Sequence, residues 1–219
     1  QGLRGTELLE EVMPRLLDHA APRAPKHSGE ARTSETHPLT IATLELGTKP
    51  GRIGITFCPG KKQADAITGA WDRDLRTDLE CIRAWGATHI VTLIEPWEIE
   101  ALEVQELPSA CAGLGLAWHH APIQDGSVPD EHWEARWSAI EPALLASLDQ
   151  GHGVVVHCKG GLGRAGSIAC RLAIAAGDGA SAEALIERVR SVRPGAVETR
   201  AQERAVFEWV QRQQRGQEA

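Results

Sequence analysis

The sequence predicts an α/β fold, with a central, mostly parallel sheet of about five strands flanked by helices. Three observations predict it. Residues 154–156 are an unbroken valine run, the mark of a strand buried on both faces, and a glycine-rich turn carries them into a helical pattern from Ser167. Residues 89–94 read as a second buried strand, preceded by a helix whose Leu75, Leu79, Ile82 and Trp85 share one face. Amphipathic stretches at 129–148 and 181–192 supply further helices to cover the sheet. A chain of 219 residues, 42% hydrophobic, is long enough to bury one sizeable core with appendages.

Taken in order, Leu8, Leu9, Val12, Leu16 and Leu17 lie at helical spacing and predict a short amphipathic helix over 6–19. Residues 20–37 carry prolines and charges with little that is apolar, so 1–37 reads as a helix and linker, 38–215 as the main domain and 216–219 as a tail. Strands are expected at 39–46 and 51–57, paired antiparallel through the turn between them. A polar loop then runs to Trp71. The helix over 72–85 takes Asp72 or Asp74 as cap and ends at Gly86.

After the strand at 89–94, residues 97–113 hold one or two short helices with Pro108 as a break. Residues 116–121 form a strand carrying His119 and His120, one of them facing inward and both structural. The helix at 129–148 contains Pro142, which is expected to kink it. An apolar helix at 167–176 closes at Gly177, Ser181 caps the next, and a terminal helix covers 205–213.

Charge and cysteine usage bound the function. The net charge is −7 and no lysine or arginine run appears, which disfavours nucleic acid as a partner. No apolar stretch approaches the roughly 20 residues of a membrane span, and no signal peptide is apparent, although a chain starting at Gln1 leaves an upstream segment open. Cys58, Cys81, Cys111, Cys158 and Cys170 are odd in number, scattered and without C-x-x-C spacing. That argues against a zinc site or a disulfide framework and for a reducing, cytoplasmic setting. No metal or cofactor is expected, and the oligomeric state is left open. One other cysteine is able in principle to pair with an oxidised Cys158, but the sequence does not select it.

The chemistry concentrates in residues 153–166. Cys158 ends the valine strand, Arg164 stands six residues on, and Gly160, Gly161 and Gly163 lie between them. Backbone amides in such a turn point inward at an anion, and the following helix adds its positive end. The same donors, with Arg164, favour a thiolate nucleophile at Cys158, and a guanidinium grips two phosphate oxygens at once. Upstream, residues 122–130 form a turn-rich loop with two carboxylates. A loop that closes is a good carrier for a proton donor. Asp130, next to a helix start, reads better as an N-cap than as that donor.

His157-Cys158-x5-Arg164 resembles the H-C-x5-R signature of protein tyrosine and dual-specificity phosphatases, and Cys-Lys-Gly-Gly-Leu-Gly-Arg is most similar to the kinase-associated phosphatase branch and its bacterial relatives. The resemblance covers roughly residues 51–213 and implies a protein tyrosine phosphatase-like fold. It implies a phosphate loop of Lys159, Gly160, Gly161, Leu162, Gly163 and Arg164, with Cys158 as nucleophile and His157 as its support. Pro122-Ile123-Gln124-Asp125-Gly126 resembles the acid loop of that branch and selects Asp125 as general acid. Glu198-Thr199-x-x-Gln202 resembles the glutamine loop that places the attacking water, with Gln202 matching and Glu198 departing from the pattern.

Ala165 departs as well. The family has serine or threonine there, and that hydroxyl helps the sulfur to leave. The implied activity is metal-independent hydrolysis of phosphoprotein monoesters, phosphotyrosine and also phosphoserine or phosphothreonine in a compact pocket, with a slowed second step. The partner is then a phosphorylated protein or peptide, and neither nucleic acid nor membrane. Lys61 and Lys62 either face that substrate or are simply solvated. Two alternatives stand beside it: a phosphate- or phosphopeptide-binding pseudophosphatase, prompted by Ala165, and an inositol-phosphate or phosphoinositide phosphatase.

Overall fold

The computed structural model describes residues 30–217 apart from 48, 67 and 68. The helix expected over 6–19 lies outside the described residues. The elements are β1 (Ala42–Glu45), β2 (Arg52–Phe57), β3 (Lys62–Gln63), β4 (Trp71–Asp72), α1 (Leu75–Ala84), β5 (Ala87–Thr92), α2 (Pro96–Ala101), α3 (Leu107–Gly113), β6 (Ala117–His120), α4 (Glu131–Asp149), β7 (Gly153–Cys158), α5 (Gly163–Ala175), α6 (Ala182–Val192) and α7 (Arg200–Gln217).

The five-stranded sheet has the order β1-β2-β7-β5-β6. Only the β1–β2 pair is antiparallel; β2, β7, β5 and β6 run parallel. This is the α/β architecture expected. β7 is central, and Val154, Val155 and Val156 are fully buried because helices cover both of its faces. Its register sets Cys158 opposite Phe57 of β2 and His157 opposite Thr92 of β5. The carboxyl ends of four strands therefore share one edge of the sheet, where α/β folds open a crevice for ligands.

Local chemistry explains most boundaries. Asp74, one of the two candidates, caps α1 by accepting from Thr77 N at 2.7 Å. Asp130 caps α4 by accepting from Trp133 N at 2.8 Å, and Ser181 caps α6. Pro108 starts α3 rather than breaking a helix, since a proline in the first turn loses no intrahelical bond. α4 runs through Pro142 without interruption. His119 stacks on His89 with 2.9 Å between Nδ1 of His89 and Nε2 of His119, and His120 Nε2 contacts Ile94 O; both are half-buried packing residues.

Two further features differ from expectation. The stretch from 58 to 71 is not only loop: β3 and β4 form an antiparallel ribbon, too short for a periodic signal to mark it. Residues 32–37, whose composition reads as linker, are tied down. Arg73 Nη1 donates to the carbonyls of Thr33 and His37, and Ser34 is buried against Asp74. Among the described residues, no helix is long and apolar enough to cross a membrane, and no group of three or more His, Cys, Asp or Glu side chains is placed to hold a metal ion.

Candidate active site

The loop from Cys158 to Arg164 is shaped from outside. The carbonyls of Gly160 and Gly161 each accept from the Arg193 guanidinium at 2.9 Å, and that of Lys159 accepts from Cys58 N and Lys61 Nζ at 3.4 Å. With its carbonyls held outward, the loop turns amides inward, and Gly161 N donates to Cys158 Sγ at 3.2 Å. Gly161 has φ +70°, and a Cβ there would lie 2.4 Å from the Thr56 carbonyl atoms, so only glycine fits. α5 starts at Gly163 and aims its positive end at the same space.

Arg164 is buried in the first turn of α5. Its Nη1 donates to Glu98 Oε2 at 2.6 Å and to Ile123 O at 3.0 Å; its Nη2 donates to Glu98 Oε1 at 3.0 Å. Burial by itself would lift the Glu98 carboxyl, but these bonds and the N–H of Glu95 outweigh it and hold the group below its ordinary range. Glu98 thus fixes the guanidinium plane from behind. The Arg164 Nε is buried and has no acceptor among the described residues. A guanidinium N–H without an acceptor in a dry site is costly, and here it is the group left to meet an anion.

Asp125 Oδ1 lies 3.0 Å from Arg164 Nη2, while its side chain is 71% exposed. It sits at the tip of a turn closed by the Ser127 N–H on Gln124 O. The carboxylate therefore reaches the site from a solvated loop. Gln202 is buried, and its amide is partly committed: Oε1 accepts from Thr199 N at 3.2 Å, and Nε2 donates to Ser127 O at 3.3 Å. It straps the acid loop to the start of α7. Thr199 Oγ1 accepts in turn from Gln202 N, the reciprocal arrangement of a capping box.

Glu198 accepts from Gly163 N at 2.8 Å. A Cβ on Gly163 would fall 2.5 Å from Glu198 Oε2 and 2.9 Å from the Gln202 amide, so the third glycine of the loop is a seat for these two side chains. Val197, just before, is buried at φ +56°, a strained conformation for a β-branched residue, and Arg190 holds its carbonyl at 2.7 Å. That strain turns Glu198 toward the loop. Cys158, Gly160, Leu162, Asp125 and Glu198 share, with Lys61, the lining of a cavity of about 280 Å³.

His157 is fully buried, and burial pushes its imidazole down to about 4. It is therefore neutral near pH 7. Its Nε2 lies 2.8 Å from Thr92 Oγ1 and its Nδ1 3.4 Å from Cys158 O. The Cys158 carbonyl can only accept, which puts the imidazole proton on Nδ1; Nε2 then accepts from the Thr92 hydroxyl, whose oxygen accepts in turn from Trp118 Nε1 at 2.9 Å. The ring props the Cys158 backbone from β5 and β6. Ala165 is buried, and the Ser167 hydroxyl lies 3.0 Å from each of the Gly163 and Arg164 carbonyls, so it takes no part at the sulfur.

All five cysteines are free. Burial pushes Cys111 and Cys170 up to about 12 and raises Cys58 and Cys81 too. Cys158 is the thiol that lines the cavity and accepts from the Gly161 amide.

Residues 69–178 match the family model described as Tc-R-P, polymorphic toxin system, DSP-PTPase phosphatase. The chain belongs to the dual-specificity and protein tyrosine phosphatase family. It is 29% identical over 175 residues to cyclin-dependent kinase inhibitor 3 of Rattus norvegicus, with 78% of each chain covered. To the Mus musculus protein of that name it is 30% identical over 150 residues, covering 67% of this chain and 66% of the other. Among solved structures it is similar to kinase associated phosphatase with its catalytic-site cysteine replaced by serine: TM-score 0.69, 27% identity, 81% of this chain and 97% of the other. Tk-PTP in its active form shares the fold, with TM-score 0.57 and 24% identity over 74% of this chain and 93% of the other.

The H-C-x5-R motif thus led to the right family. Glu98, Arg193 and Thr92 were not singled out from the sequence. The Glu95-Pro96-x-Glu98 pattern marks a helix start, but its service to Arg164, 66 positions on, is a tertiary fact.

Proposed function

We propose that this protein hydrolyses phosphoprotein monoesters through a phosphocysteine intermediate. The observation that carries the reading is the buried Arg164 Nε, left without a protein acceptor beside an inward-facing loop whose carbonyls are bound outside. This is a cradle for a phosphoryl group in flight.

In the first step the Cys158 thiolate attacks phosphorus. The S–P bond forms, the ester P–O bond breaks, and Asp125 gives its proton to the leaving oxygen. The inward amides and Arg164 carry the charge on the equatorial oxygens, and Glu98 holds the guanidinium in plane for them. In the second step water attacks the phosphocysteine, its proton passes to Asp125, and the S–P bond breaks to restore the thiolate. Gln202 keeps one amide N–H and one lone pair beyond its bonds to Ser127 and Thr199, and with these it places the water. No step calls on a metal.

Ala165 gives no hydroxyl to the departing sulfur. A hydrogen bond to a charged group is worth about 1.5–3 kcal/mol, so its absence slows breakdown by about one to two orders of magnitude. Phosphoenzyme should then accumulate. The open cavity of about 280 Å³ suits phosphotyrosine and also admits the shorter phosphoserine and phosphothreonine.

Phosphate release from phosphotyrosine, phosphothreonine and phosphoserine peptides, followed in wild type and Cys158→Ser, tests the reading. Turnover with a pre-steady-state burst, abolished in Cys158→Ser, is expected. Turnover surviving in that variant removes the mechanism. Binding without turnover in the wild type leaves a phosphopeptide-binding module.

A further inference from the structure

Lys61 has no part in the steps above. It lies between β2 and β3 and is only 5% exposed. Its Nζ sits 4.4 Å from the centroid of the Trp71 ring and 4.9 Å from that of Phe57. Its polar contact is a long one, to Lys159 O at 3.4 Å. Among the described residues no carboxylate lies within ion-pair distance of it. The other deeply buried cations differ: Arg73 grips Asp78 and Arg164 grips Glu98. A buried ammonium without an anion is costly, and aromatic faces repay only part of its lost hydration. Burial accordingly lowers the Lys61 ammonium to about 8.

The position of the side chain says what it is for. Lys61 lines the cavity that holds Cys158, so it faces whatever ligand enters. Yet its Nζ touches the outward carbonyl of Lys159, whereas the phosphoryl group undergoing transfer is met by inward amides and Arg164. The ammonium therefore stands outside the cradle, at the Lys159 end of the loop. Glu198 stands at the Gly163 end and Asp125 against Arg164, so the far side of the cleft is acidic. A ligand with two anionic groups fits this polarity in one orientation only.

We propose that Lys61 is a second anion subsite and that the preferred substrates are phosphomonoesters bearing a second phosphate close to the one removed. The proposal rests on the phosphatase reading above for its substrate. The subsite itself is a matter of binding.

The test compares each doubly phosphorylated compound with its singly phosphorylated partner. One pair is a peptide with two neighbouring phosphoresidues, the other an inositol bisphosphate and monophosphate. Wild type is expected to favour the doubly phosphorylated member by about tenfold or more in kcat/KM, through KM, as a charge-assisted contact would give. In Lys61→Met the ratio falls toward one, and Lys61→Arg restores most of it. The pair that shows the preference tells peptide from inositol phosphate.

A ratio unchanged in Lys61→Met, even with both rates lowered, overturns the subsite and leaves Lys61 a brace for the loop. So does the absence of preference in both pairs. Calorimetric binding of the same pairs to Cys158→Ser separates the two readings: a preference in Kd with no turnover in wild type keeps the subsite and removes the phosphatase. If Lys61→Met does not fold, the unaltered protein still decides. Cys58, Arg73, Cys158 and Lys159 are the charged or titratable groups around the ammonium. The binding preference should fade as pH rises through about 8, and a preference constant from pH 7 to 9.5 refutes the subsite.

Discussion

Two buried arginines each grip a carboxylate with two nitrogens, Arg73 through Nε and Nη2 and Arg164 through Nη1 and Nη2, and serve opposite ends. Arg73 places Nε and Nη2 on the two Asp78 oxygens at 2.7 Å, and its Nη1 on the carbonyls of Thr33 and His37. Each of its three nitrogens has an acceptor. It binds residues 32–37 to the start of α1 and has nothing left for a ligand. Arg164 is as deeply buried and as firmly paired, but its Nε has no acceptor among the described residues, and its Nη2 is shared with the exposed Asp125 side chain. The difference is what separates a fastener from the phosphate-binding group proposed above. Burial and an ion pair are common to both; a buried donor without an acceptor is not.

The sharpest way to break this contrast is to exchange each arginine. Arg164→Lys should lower kcat by about a thousandfold, since an ammonium cannot meet Glu98 and phosphate in one plane. Arg73→Met should leave kcat per folded molecule almost unchanged and remove about 3–5 kcal/mol of stability by stranding Asp78. Denaturant midpoints and single-turnover rates on the two proteins check both arms. Equal losses of activity in the two would erase the distinction.

Asp125→Asn comes next. It should slow phosphoenzyme formation by about two to three orders of magnitude with a peptide substrate and far less with a nitrophenyl ester, whose leaving group scarcely needs a proton. Ala165→Ser follows, with an increase in the breakdown rate of about ten- to a hundredfold, read as a smaller burst and a faster steady state. A burst of unchanged size would show that the missing hydroxyl does not govern the second step.

On stability rather than rate, the group to alter is His157, which is fully buried and contacts the Cys158 carbonyl. Its folded value of about 4 lies below the ordinary 6.5, so between these the unfolded chain binds more protons and stability rises with pH. This contribution is fully present above pH 6.5 and is lost as pH falls toward 4, on the order of 3 kcal/mol in all. His157→Gln should flatten that part of the stability curve. A curve equally steep in the variant would place the acid sensitivity elsewhere, with Glu98 the next group to test.

The legible parts of this protein were those encoded over short stretches. The valine strand, glycine turn and apolar helix stand within about two dozen residues, so local pattern marks them together. Asp130 and Ser181 betray themselves as caps because a cap acts on its own first turn, and the same rule narrowed the α1 cap to Asp72 or Asp74. The two-residue strands β3 and β4 escaped because no period fits in two residues, and residues 32–37 escaped because what orders them is Ala70, Asp72, Arg73 and Asp74, more than thirty positions on.

By itself the sequence determined the fold class, the family, and the thiol and guanidinium of the loop, because each rests on residues near one another in the chain. Only the tertiary structure decided which arginine is satisfied and which is not. It decided that Glu98 aims Arg164 and that Arg193 holds the loop carbonyls outward. It also left Lys61 buried without an anion at the rim of the cradle. Each is a balance of donors against acceptors brought together across the fold, and no local pattern of residues records such a balance.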